Sequence, residues 1–484
     1  MRPKTIPRNE PRPFQLDEMF FSTTDRKGVI RSGNGVFVRV SGYAPDELAG
    51  QAHNIIRHPD MPRAAFRLVW RELGQGRPVA AYVKNLAKDG CYYWVLALIT
   101  PQEDGFLSVR IKPSSPLLAK VEPLYAEMRA AEQAATERGQ SAAAAMDTAE
   151  ARLGEALRAE GFADYAHFMW ALVHAEMKSR AALLLRRERV VPAGADRALR
   201  AIEQGGEAAC RGIDRLYLRL DELAGFSRQL AEKSAYVTNL TRDIRFVALS
   251  TSIKAAKLGD EGSSLGVIAQ FLSDSSTRTA GDVQRLTGRI GDITDELHAV
   301  IFNLAAARLQ IEMALAFCRE LMAGDGGATI GTSRRRMITD LARAFGGAMR
   351  HAVGLLGSLG KHLSELNAEA EDLRKTMLML QVAQVCGMVE TRRLQADRAV
   401  SAIFDEVRAH VLKTSEQLGE LGEITQRFAQ LIEDAPEIER GVEAAVQRME
   451  AEVADLKEDA ASDPAAAALR PARQPAPTAA ELAV

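Results

Sequence analysis

Cysteine is scarce in this chain of 484 residues: Cys91, Cys210, Cys318 and Cys386 lie far apart and form no CxxC pair. That spacing removes the usual zinc and dithiol signatures and fits reduced thiols. No charge sign dominates either, with 62 Lys and Arg against 64 Asp and Glu and a formal net charge of −2. So balanced a chain carries no basic footprint for nucleic acid or anionic lipid, and neither is expected as a partner. Long hydrophobic runs are missing. The longest candidate, YYWVLALIT at 92–100, falls well short of the ~20 residues a membrane helix needs. The opening MRPKTIPRNEPRPF has no apolar core for a signal peptide. These absences predict a cytoplasmic protein without membrane insertion. The chain also lacks HExxH and a phosphate-cradling nucleotide loop, and no enzymatic activity is expected.

What is present divides in two. A hydrophobic content of 47% over 484 residues suffices for more than one folded unit, since single cores stop growing near ~250 to 300 residues. Trp70, Trp94 and most of the tyrosines fall within the first 125 residues, among alternating apolar runs and glycines. The alternation predicts strands at about 18–23, 27–32, 79–86, 91–100 and 105–112, with short helices between 35 and 73. KDGCYY supplies an Asp-Gly hairpin signal. Two strands, several short helices and three more strands make an α+β unit: a five-stranded antiparallel sheet with helices on one face, a cup for a ligand.

The remainder reads as helix. Alternating steps of three and four from Val283 meet Leu286, Ile290, Ile293, Leu297, Val300, Leu304, Ala307, Ile311, Ala314, Cys318 and Leu321, an a/d seam. An earlier seam runs from Ile213 and Leu216 through Ser227, Ser234 and Thr241 to Ala248. Between them KLGDEGSSLG at 257–266 ends one helix and turns the chain. Nearly equal arms, 199–257 and 266–323, predict an antiparallel coiled-coil hairpin, a rod about 85 to 90 Å long at 1.5 Å per residue. Residues 332–459 add a further helical segment, with breaks expected at Gly346–Gly347 and Pro436, and the Ala/Pro-rich 460–484 reads as a disordered tail.

Chemistry concentrates in HNIIRHPDMP at 53–62. Arg57 offers a planar fork of donors suited to phosphate oxygens, and Asn34 and Asn85 can each present donor and acceptor to a ring edge. His58 has an ordinary pKa near ~6.5 and can follow a change of ligand charge. The same residues also fit an Arg57–Asp60 surface ion pair with His58 capping a helix. His53 or His58 as a haem ligand is a further alternative. A metal site from His53, His58 and Asp60 has no conventional spacing.

Residues 21–112 resemble the PAS domain of bacterial aerotaxis receptors, through FSTTD at 21–25, VFVRVSGY at 36–43, ELAGQAHNIIRHPDMPRAAF at 47–66, VKN at 83–85 and YWV at 93–95. The resemblance implies FAD, held non-covalently and reporting its redox state. Carried over residue by residue, it implies a flavin site at Asn34, Arg57, His58, Asp60, Trp70 and Asn85. One departure is Val79, where those receptors tend to carry an aromatic. Another is KVEPLYAEMRAAEQAATERGQ, a polar helical sequence where they carry a membrane anchor.

VALSTSIKAAKLGDEGSSLGVIA at 247–269 resembles the hairpin tip of methyl-accepting chemoreceptors. Small and apolar positions agree. Lys254, Ser250, Ser263 and Leu265 depart at positions the family uses for trimer, kinase or coupling-protein contacts. The expected organisation is an N-terminus (1–17) that is flexible, a PAS sensor (18–115), connecting helices (119–192), a chemoreceptor-like hairpin (199–323), the added helices (332–459) and the tail. The expected function is an oxygen or redox sensor that forms a homo-oligomer, a dimer, and meets a chemotaxis histidine kinase and coupling protein at the tip. The alternative is a helical scaffold or modulator whose PAS domain docks proteins without a cofactor or binds haem.

Overall fold

Strict alternation along five strands separates the two faces of one antiparallel sheet. In the computed structural model, which describes residues 5–184, 197–217, 263–323, 329–331, 333–394 and 398–455 with scattered positions between 222 and 256, the strands are β1 (Met19–Asp25), β2 (Ile30–Gly33), β3 (Val79–Leu86), β4 (Tyr92–Gln102) and β5 (Gly105–Ile111). Their order is β2-β1-β5-β4-β3. Between β2 and β3 lie α1 (Gly35–Ser41), α2 (Pro45–Leu48), a 3-10 turn at His53–Ile56 and α3 (Arg63–Gly74). The expected α+β unit is therefore present, with its strands within a few residues of the predicted spans. Gly90 takes φ 91°, the left-handed conformation that the Asp-Gly turn before β4 requires.

Residues 8–14, part of the stretch read as a flexible N-terminus, are held. Arg8 N donates to Gly90 O and Arg12 N to Tyr92 O, and Tyr92 N donates to Glu10 O. Phe14 is buried edge-on against Phe20 and Tyr93. An unpaired strand edge and an apolar ring supplied what polar composition concealed.

Period-2 geometry sends Phe20, Ser22, Val83, Asn85, Ala97, Ser108 and Arg110 to the face under α1–α3, and Phe21, Tyr82, Trp94 and Leu107 to the other. That second face is covered too. Helices α4 (Leu117–Glu137), α5 (Ala142–Ala159) and α6 (Tyr165–Leu184) follow the sheet. Tyr125 donates to Tyr82 O and Tyr165 to Ala80 O. Glu176 of α6 is fully buried and accepts from the backbone N–H and hydroxyl of both Ser114 and Ser115 and from the Tyr82 hydroxyl, which pins the link between β5 and α4.

The other long helices are α7 (Arg197–Tyr217), α8 (Ser263–Met322), α9 (Arg334–Arg393), α10 (Arg398–Leu431) and α11 (Ala435–Asp455). From Val283 to Cys318 every residue of the predicted seam is buried. Among the described residues α8 alone holds a stretch apolar and long enough to cross a membrane, of hydropathy 1.4, and 83% of that stretch is buried in the protein. Counting uninterrupted apolar residues missed it, because a helix packed on several sides is apolar all round while tolerating isolated charges. Gly346 and Gly347 do not break α9. A Cβ on Gly346 would stand 3.6 Å from Val446, an ordinary contact, and one on Gly347 would meet nothing within 4 Å. The chain does turn at 432–434, with Pro436 in the first turn of α11. Most of the earlier seam from residue 220 to 248, the tip positions 257–262 with Lys254, and the tail lie outside the described residues.

By its internal contacts the chain forms two compact units. One gathers Met1–Tyr217, Ile301–His351 and Glu437–Val484, and the other Leu218–Val300 and Ala352–Pro436. In the first, the end of α8 returns to the sheet. Phe317 meets Phe21 edge-on at 5.1 Å, Gln310 donates to Thr100, and Ile330 exchanges backbone hydrogen bonds with Gly33 of β2.

Candidate functional site

Between the inner sheet face and α3 lies a cavity of about 150 Å³. Strand alternation supplies its floor: Ser22 and Thr24 from β1, Val83 and Asn85 from β3, Ala97 and Ile99 from β4, and Phe106, Ser108 and Arg110 from β5. Helix α3 supplies Phe66, Val69, Trp70 and Leu73, and the 3-10 turn supplies His53 and Asn54. Trp70 meets Phe106 edge-on at 5.3 Å, which makes one wall aromatic. Gly28, at φ 76°, lies under the Trp70 ring, where a Cβ would come within 3.3 Å. Glu132 of α4 fixes α3 in place by accepting from Arg63 N at 3.0 Å and Ala64 N at 2.7 Å, so a carboxylate satisfies that helix N-terminus.

Of the residues expected at a flavin site, Arg57, Trp70 and Asn85 line this cavity. Arg57 and Asn85 face each other across an isolated antiparallel bridge. The Arg57 guanidinium donates to Met61 O and lies 4.5 Å above the Phe66 ring. Burial, with the charge of Arg63, lowers its pKa. The other three expected residues do not line the cavity. Asn34 is buried at the start of α1, where Oδ1 accepts from Phe21 N and Nδ2 donates to Met19 O and to Glu320 of α8. His58 is buried with its ring edge-on to Tyr92, and its Nδ1 accepts from Asp60 N at 3.1 Å. Burial lowers the His58 pKa against the pull of Asp60. Asp60 pairs with Lys84 and Arg129, not with Arg57. Burial alone would raise its carboxyl, and the Lys84 hydrogen bond with the charges around it outweighs that and lowers it. Val79, the departure from the family's aromatic, is buried opposite Ile99, which does line the cavity.

Residues that sequence reasoning passed over complete the site. Ser108 and Arg110 sit at inward positions of β5, and polar or charged residues at such positions carry the signal that exposes them. Desolvation, and the charge of Arg110, hold the His53 pKa well below its usual 6.5. Asn85 Nδ2 and Ser108 Oγ are buried without a hydrogen-bond partner. Two such orphaned groups facing one cavity each cost about 1 to 3 kcal/mol unless a ligand meets them. An aromatic wall, an unpartnered amide donor and a hydroxyl fit the edge of a planar polar ring system such as a flavin.

Residues 31–108 match the family described as PAS fold. The aerotaxis receptor of Escherichia coli (strain K12) is 43% identical over 123 residues, 24% of this chain and 24% of its own length. Biofilm dispersion protein BdlA of Pseudomonas aeruginosa is 22% identical over 301 residues, 61% of this chain and 60% of its own. Methyl-accepting chemotaxis protein CtpL of the same organism is 26% identical over 187 residues, 34% of this chain and 28% of its own. The chain thus spans between about a quarter and three fifths of the length of these curated relatives. With the five-stranded sheet, the cavity and the long helices, these matches identify a PAS domain joined to a chemoreceptor-like helical region.

Proposed function

We propose that this chain is a cytoplasmic signal transducer of the aerotaxis kind, which holds FAD in the cavity under α3 and passes its redox state to chemoreceptor-like helices. The observation that carries this reading is the pair of unpartnered buried groups, Asn85 Nδ2 and Ser108 Oγ, facing a cavity walled by Trp70 and Phe106. It is supported by the 43% identity of this region to an aerotaxis receptor. When bound, a flavin supplies a ring whose charge and hydrogen-bonding pattern change on reduction. Asn85 and Ser108 meet the ring edge, Trp70 and Phe106 pack against its apolar part, and Arg57 takes the phosphates. Asn34, His58 and Asp60 act at one remove: Asn34 ties β1 to α1, and His58 with Asp60 holds the 57–62 turn against β3.

The protein senses rather than catalyses. It works as a homodimer, with a chemotaxis histidine kinase and coupling protein as partners near the hairpin tip, in keeping with a relative named as a methyl-accepting chemotaxis protein. Absorbance of the freshly purified full chain tests the cofactor. A yellow two-band spectrum is expected, and a single intense violet band or none after reconstitution with FAD overturns the reading. Steady-state turnover of NAD(P)H by the same sample overturns the sensor assignment in favour of an oxidoreductase.

A further inference from the structure

Helix α9 is apolar on two faces. Leu373, Met377 and Leu380 are fully buried and form its inner seam. Its flanks are occupied as well: Arg289 of α8 pairs with Glu365 and Glu369, Thr376 donates to Asp282 of α8, and Thr425 of α10 donates to Asn367. The face left outward carries Leu378, Met379, Val382, Val385 and Val389, each between 52% and 63% exposed, together with the exposed Cys386.

These side chains recur at helical spacing, so they form one stripe about 16 Å long opposite the buried seam. Contiguous apolar side chains on an outer helix face, bounded by charge, mark a docking surface. Glu371, Asp372 and Lys375 precede the stripe, and Arg392 and Arg393 follow it.

The pattern is self-complementary. Leu378 and Cys386, Met379 and Val385, and Glu371 and Arg393 each stand equally far on either side of Val382. An antiparallel second copy therefore sets apolar against apolar along the stripe and Glu371 against Arg393 at both ends, as a two-fold interface needs. A parallel copy would set Glu371 against Glu371 and Arg393 against Arg393, where like charges repel. Within its own helix Glu371 pairs with Arg374 and Arg393 with Glu390. Such exposed pairs contribute little and exchange readily for partners across an interface.

We infer that the outward stripe at 378–389 of α9 is where a second copy of this chain docks, antiparallel and centred on Val382. The inference rests on the homodimer reading and names the surface that joins the two copies. So short a stripe belongs at the small end of specific interfaces, and the dimer is concentration-dependent.

Sedimentation velocity of the full chain across a concentration series tests this docking. Wild type should shift from monomer to dimer. Val382→Lys, which brings two ammonium groups face to face at the centre, should dimerise at least tenfold more weakly. Because Val382 is exposed, circular dichroism and melting temperature of the variant should match wild type. A dimer of unchanged strength overturns the stripe and leaves the homodimer reading standing. Wild type that stays monomeric throughout overturns both, and leaves the stripe to a different protein.

Cross-linking reads the orientation with variants that add no charge. Under mild oxidation Leu378→Cys should form a covalent dimer through Cys386 of the second copy, and Leu378→Cys combined with Cys386→Ser should not. Wild type should form no disulfide between its two Cys386 residues, because antiparallel pairing keeps them about 12 Å apart along the helix axis. A Cys386-dependent covalent dimer of wild type, or none with Leu378→Cys, overturns the antiparallel docking even if Val382→Lys fails to fold.

Discussion

Arg57 and Asn85 sit opposite one another across a bridge and both line the cavity, and replacing either side chain leaves the backbone pairing in place. Arg57→Ala and Asn85→Ala should each release flavin, by about 10-fold or more in affinity at about 1.4 kcal/mol per tenfold, while circular dichroism stays unchanged. Full retention of flavin in both variants rules out their placement at the ligand. His53 gives a pH signature. Its folded pKa lies well below the unfolded 6.5, so the unfolded chain binds the proton first and stability is lost as pH falls below about 6.5. Melting curves between pH 7.5 and 5 should show wild type losing more stability than His53→Gln; parallel curves would mean that the fold does not hold His53 neutral.

At this scale the resemblance to aerotaxis receptors pointed to Arg57, Trp70 and Asn85, and all three line the cavity. Arg110 and Ser108 were not legible. Their meaning comes from an inward position in β5, and one residue of uncertainty in register exchanges inside for outside.

Among the elements, α8 was the most readable. Its heptad seam is a local repeat that any burying partner must respect, and each member from Val283 to Cys318 is buried. Leu297→Asp, at a fully buried position, should cost several kcal/mol and lower the melting temperature markedly. An unchanged melting temperature would refute the seam.

The end of the same helix holds a contact no periodicity announces. Glu320 accepts from Asn34 Nδ2 at 2.8 Å and from Gly35 N at 2.7 Å, at the start of α1. Burial raises its pKa above 4.5, although the hydrogen bonds oppose the shift. The folded protein therefore holds this proton more tightly than the unfolded chain, and stability falls as pH rises from about 4.5. Relative to Glu320→Gln, wild type should lose stability over that rise. A pH-independent difference between the two would show that the carboxyl is not buried against α1.

The glycine pair at 346–347 shows the opposite failure of local reading. Composition suggested a break, yet α9 runs unbroken through both glycines, since tertiary packing overrides helix propensity.

In the whole molecule, the PAS sheet is not an independent module. Its outer face, with Phe21 and Tyr82, is covered by α4, α6 and the end of α8. An excised fragment of residues 5–115 should expose those side chains and melt at least about 10 °C below the full chain, or aggregate. A fragment as stable as the full chain would mean that these contacts contribute nothing. If the flavin reports through the same face, reduction should also change hydrogen exchange around residues 310–330. Changes confined to residues 1–115 would leave a flavin protein that does not transmit.

The sequence by itself determined the strands, the seam of α8 and the polar motif at 53–62, because each is written in residues close along the chain. Only the tertiary structure decided that Ser22, His53 and Arg110 converge, that Glu176 pins the link after β5, and that Asn34 answers to Glu320 rather than to the cavity. Those partners stand between 31 and 286 residues apart, and side-chain contact at such separation depends on how elements pack, which local periodicity does not encode.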